Sequence, residues 1–166
     1  MITKDQLLAS MRHETKLMQH LATKVPPGTY GWRPTPGQRS TLELMQYLTT
    51  CGTIGVSYAV TGSWETAEKL EKDAAAVTPE TFHAAMDAQM ALLEELVRSV
   101  SDADLLTKDA KMPWGAPTKV GLGLIDMGLK PMAAYRMQFF LYAKQSGNAD
   151  LTAANCWVGV DMPKQG

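Results

Sequence analysis

Apolar residues recur at three- and four-residue steps through four long stretches of the chain, and each stretch predicts an amphipathic helix. In the first, Leu7, Met11, Met18, Leu21 and Val25 form one stripe, which predicts a helix from about Thr3 to Lys24, capped by Thr3 and stopped by Pro26-Pro27-Gly28. The second follows Arg33-Pro-Thr-Pro-Gly-Gln-Arg-Ser40, where two prolines and a glycine forbid a helix up to Gly37 and Ser40 with Glu43 forms a capping box. Leu44, Leu48, Cys51, Gly55 and Tyr58 then share a face. They predict a helix from Thr41 to about Thr61, with Tyr47 on the edge of that face and Gly52 and Gly55 permitting a close neighbour. The third stretch starts at Thr78-Pro79-Glu80 and runs to about Val100 with Phe82, Met86, Met90, Leu93, Leu96 and Val97 as its stripe. The fourth, Thr118 to about Gln145, contains Pro131, which predicts a kink or a broken start between Gly128 and Pro131.

Polar residues inside these stripes are the first candidates for chemistry. Glu14 falls in the middle of the first stripe, where a carboxylate must reach solvent or an arginine, or act as a ligand. Gln89 sits within the third, as a satisfied core amide or as part of a polar pocket shared with Glu14. His13 and His20 share a face opposite the apolar stripe and read as solvated, as does His83. Between the helices, Tyr30 and Trp32 are expected over the bundle end. Residues 65–73 should form a short solvent-facing helix or loop, and residues 101–117 a connector. In the tail, Trp157 and Val158 are expected to fold back onto the bundle.

At 166 residues, 45% of them apolar and 20% charged, the chain has the size and composition of one folded globular domain, 1–166. Sixteen basic against seventeen acidic residues, with no basic run, argue against nucleic-acid binding. The uncharged stretch Leu44 to Trp64 is long enough to suggest a membrane span. Its Gln46, Thr49, Thr50, Thr53, Ser57, Thr61 and Ser63 favour a half-buried helix instead, so no membrane partner is expected. The N-terminus carries no apolar leader, which makes the cytoplasm the expected location. Cys51 and Cys156 are expected as two reduced thiols.

A tryptophan followed by Pro-x-Pro-Gly-x-Arg-Ser and Leu-Glu-Leu, the Trp114-Gly115 connector with Pro117-Thr118, and Tyr135-Arg136-Met137-Gln138 before Tyr142-x-x-x-x-Gly147 together resemble the DinB-like family. The resemblance implies an all-α four-helix bundle with long connectors and a C-terminal tail packed on it, commonly a homodimer, and a kinship with metal-dependent thiol S-transferases. Metal-binding members place one histidine on the second helix and a His-x-x-x-His pair on the fourth. The matching positions here are Tyr47, Pro131 and Tyr135. Proline offers no ligand atom and a neutral phenol is a poor substitute for imidazole, so the expected site is metal-free and without a cofactor. Tyr47, Cys51, Tyr135 and Gln138, with Glu14 and Gln89, are the candidate lining of a ligand pocket. The two tyrosines filling the vacated space is the competing expectation. Three functions follow: a binder of a small molecule or protein partner, a thiol S-transferase or hydrolase with a substituted site that recruits Glu14, or an interaction module with no cavity.

Overall fold

The computed structural model describes residues 3–163; positions 1 and 2, part of the N-terminal leader reading above, lie outside them. Helix α1 spans Lys4–Ala22 and begins at a reciprocal cap. Thr3 Oγ1 accepts from Gln6 N, and Gln6 Oε1 accepts from Thr3 N. Its predicted stripe is buried in full from Leu7 to Val25. Helix α2, Thr41–Leu48, starts at the predicted box, with Ser40 N donating to Glu43 Oε2 at 2.6 Å and Glu43 N donating to Ser40 Oγ at 3.2 Å.

The single helix expected from Thr41 to Thr61 is two helices. After α2 the chain turns at Thr49 and Thr50, whose hydroxyls donate to the carbonyls of Gln46 and Tyr47, and α3 restarts over Cys51–Thr61. The interruption is bridged from α5 (Phe82–Ser99) by Gln89. Its amide donates to Leu48 O at 2.8 Å and accepts from Gly52 N at 3.0 Å, so one side chain satisfies the backbone on both sides of the break. Gln89→Leu would leave both backbone groups buried and unpaired. A loss of about 2 kcal/mol is expected from the denaturant-unfolding midpoint, since an orphaned buried polar group costs roughly 1–3 kcal/mol.

Between α3 and α5 lies a charged outer helix, α4 (Ala67–Ala74). Helix α5 begins three residues later than Thr78 predicts, because Thr78 N donates to Thr81 Oγ1 and Thr81 N to Thr78 O, closing a turn first. The connector that follows holds more structure than expected. Ser101 caps a short helix, α6 (Asp102–Thr107), and β1 (Asp109–Lys111) pairs antiparallel with β2 (Pro117–Lys119).

The fourth predicted helix comprises α7 (Val120–Leu124), a π-helical turn over Ile125–Leu129, and α8 (Lys130–Gln145). Lys130 N reaches back five residues to Ile125 O, so the wider turn, not a sharp kink, absorbs Pro131 at the start of α8. Lacking an N–H, Pro131 leaves Met127 O without its α-helical donor. That carbonyl faces α3 at Gly55, where the two backbones come together. α1 packs on α5 and α8, α3 on α5 and the π turn, and α2 on α8.

The tail differs from expectation in which residues dock. Leu151, Asn155 and Cys156 are buried around α9 (Ala153–Trp157), whereas Trp157 and Val158 remain mostly exposed. The tail is therefore docked by Leu151, Asn155 and Cys156, not by the Trp157 and Val158 side chains. No described helix is long and apolar enough to cross a membrane.

Candidate functional site

The break between α2 and α3 and the start of α8 bring two of the predicted site residues together. Tyr47, at the end of α2, meets Tyr135, one turn beyond Pro131 on α8, edge to face with ring centroids 4.7 Å apart. Both rings are half-buried. Burial, and then hydrogen bonding to Tyr135, push the Tyr47 hydroxyl well above the usual phenol range, so it stays protonated at neutral pH. Cys51, one turn after Tyr47, is buried with its Sγ toward Leu48 O. Burial pushes its thiol up to about 12, which rules it out as a thiolate nucleophile at pH 7.

The remaining candidates serve other contacts. Gln89 spans the α2–α3 interruption, and Gln138 donates to the Tyr142 hydroxyl at 3.1 Å; Tyr142 in turn packs edge-on against Trp32. Glu14 is engaged by the deeply buried Arg136, whose Nε donates to Glu14 Oε2 at 2.5 Å. The polar pocket shared by Glu14 and Gln89 is therefore not formed: each is held by a different partner. The arginine alternative for Glu14 is the one realised.

Sequence reasoning overlooked two arginines. Arg136 donates from Nη1 to both the carbonyl and the sulfur of Cys156 at 3.0 Å and lies over the Trp157 ring, its central carbon 4.4 Å from the ring centroid. A charged residue in register with the buried Met132, Phe139 and Ala143 of α8 was the available signal. Arg39 stacks on Tyr47, its guanidinium carbon 4.1 Å above the ring centroid. It precedes the Ser40 cap and is the arginine of the Pro-x-Pro-Gly-x-Arg-Ser motif, the signal that could have singled it out.

Whether a divalent ion fits is decided by the donors. At the three positions the chain presents two phenols in van der Waals contact and a proline ring, and the described residues hold no group of three or more His, Cys, Asp or Glu able to hold a metal. Zinc sites are built from imidazole, thiolate and carboxylate. The phenol pair does not fit that requirement. His13 and His83 are exposed. His20, expected in solvent, lies partly under the tail against Asn155 and Asp161; burial, followed by the charge of Lys24, lowers its pKa.

The order of the helices, with only a two-stranded sheet beside them among the described residues, defines a helical fold of the DinB-like type. Among solved structures the chain is similar to the mycothiol-dependent maleylpyruvate isomerase, with a TM-score of 0.52 and 12% identity over 88% of this chain and 61% of that one. A histidine-to-alanine variant of the same enzyme gives a TM-score of 0.53 and 14% identity over the same shares. The chain thus spans 61% of the length of these neighbours. No family model and no curated protein matches it.

Proposed function

We propose that this DinB-like protein acts without a bound metal, by binding a small molecule at the place where metal-dependent relatives of the fold would hold an ion. The observation that carries the reading is the Tyr47–Tyr135 contact, with ring centroids 4.7 Å apart. Two neutral hydroxyls occupy that place, and they can donate and accept hydrogen bonds but cannot polarise a substrate as a Lewis acid would. Their role is recognition: they present polar tips on an apolar joint between α2 and α8.

A second reading, a thiol S-transferase working through a substituted site, draws support from the neighbours, both described as mycothiol-dependent. Glu14 is a poor candidate for its base, because its carboxylate is already engaged by the Arg136 guanidinium. Metal analysis of protein purified without chelator separates the two readings. No stoichiometric divalent ion is expected, and one equivalent would reinstate the enzyme. The double variant Tyr47→His/Tyr135→His is also expected to bind zinc weakly while Pro131 remains, because two imidazoles leave the ion short of ligands. Submicromolar zinc affinity in that variant would show the ligand geometry to be misassigned.

A further inference from the structure

Every arginine among the described residues except Arg39 has an acidic neighbour, the buried Arg136 having Glu14. Arg33 pairs with Glu43 at 3.2 Å, Arg12 and Arg98 with Glu94, and Lys24 with Asp161. Arg39 is different. It forms no ion pair among the described residues, and its guanidinium carbon lies 4.1 Å from the centroid of the Tyr47 ring. Glu43 is near enough to be influenced by its charge, but that carboxylate is already taken by Ser40 N and Arg33. The contact holds the guanidinium against the Tyr47 ring, and its N–H groups have no hydrogen-bond acceptor among the described residues. An uncompensated planar cation therefore stands against Tyr47, one ring of the tyrosine pair.

We propose that Arg39, with the hydroxyls of Tyr47 and Tyr135, forms a binding site for an organic carboxylate. This deepens the metal-free reading and rests on it: the positive charge an ion would supply comes from a guanidinium. A carboxylate matches the planar fork and its single charge. A phosphate dianion would call for a second cation, and Arg33, which shares Glu43 as a neighbour with Arg39, is committed to that carboxylate. The site has one fixed charge to attract the ligand and two neutral groups to orient it. Weak, salt-sensitive and charge-selective binding is the expected behaviour.

The test is a titration of the full chain, with labelled tyrosine rings followed by NMR at constant ionic strength. The probes are benzoate, its neutral counterpart benzamide, and inorganic phosphate. Benzoate should shift the Tyr47 and Tyr135 signals saturably, with benzamide ineffective and phosphate weaker than benzoate. Arg39→Gln, an exposed substitution, should weaken benzoate binding about 10-fold or more, as loss of a charge-assisted hydrogen-bond pair implies. Equal affinity in wild type and Arg39→Gln, no saturable shift, or tighter binding of phosphate would each overturn the assignment. If instead the protein carries a stoichiometric ion and a chelator abolishes the benzoate shifts, the metal-free reading fails and takes this one with it. Failure to bind benzoate in metal-free protein sinks the carboxylate site alone.

Discussion

Gly55→Ala is expected to destabilise the protein by about 3 kcal/mol or more, at or beyond the upper end of ordinary overpacking. A β-carbon at position 55 would lie 1.7 Å from Met127 O and 2.6 Å from the carbon of that carbonyl. The obstacle is backbone in the π turn, so no rotamer change can make room and α3 must separate from the fourth helical segment. Gly52→Ala is the internal control. There the new methyl would meet only side-chain atoms, Met132 Sδ at 2.9 Å and Gln89 Oε1 at 3.3 Å, which can shift where backbone cannot. Its gain in helix propensity, about 1 kcal/mol, opposes the crowding. Denaturant midpoints for the two variants should differ clearly, with Gly52→Ala near wild type. Equal, small losses in both would mean that the close approach at Gly55 is not part of the folded state. Because separation of α3 from the π turn would also disturb the position of Tyr135 relative to Tyr47, benzoate affinity should fall in Gly55→Ala even at temperatures where it remains folded.

The four apolar stripes and the caps at Thr3 and Ser40 were legible because they depend on local periodicity and on hydrogen bonds three residues apart. The interruption at Thr49 and Thr50 was not legible. An isolated segment would run on as one helix, and the break is stabilised by Gln89 from a helix 37 residues away in sequence, counted from Gly52. The π turn at Pro131 is a similar case: proline announces a disturbance but not its form, and the form is set by packing against Gly55. At the candidate site, resemblance placed Tyr47 and Tyr135 correctly as neighbours. Glu14 and Gln89 were grouped only because both interrupt apolar stripes, and periodicity cannot reveal which interruption faces which partner. Read jointly, Glu14 in the stripe of α1 and Arg136 in the stripe of α8 were complementary all along: two opposite charges, each costly to bury alone, on helices that pack together.

That pairing sets the other large expected effect. Arg136→Met should cost about 3–5 kcal/mol, the range seen when one member of a buried ion pair is removed. Arg136 is 2% exposed and Glu14 12%, so the stranded carboxylate would have little water to fall back on. The same substitution also removes both contacts to Cys156 and the cation under Trp157, which tie α9 to α8. Two contributions are therefore mixed, and a second variant separates them. Glu14→Leu/Arg136→Met relieves the unpaired charge but still leaves α9 without its anchor. Its stability should recover much of the loss, while the fluorescence of Trp157 and the protection of Cys156 from alkylation stay as in the single variant. Arg136→Lys should rescue neither fully, since a point cation cannot serve the Glu14 carboxylate, the Cys156 carbonyl and the indole face with one planar group. A single Arg136→Met variant within about 1 kcal/mol of wild type, the ordinary range of an exposed pair, would show that solvent reaches Glu14 and that the tail is held by other means.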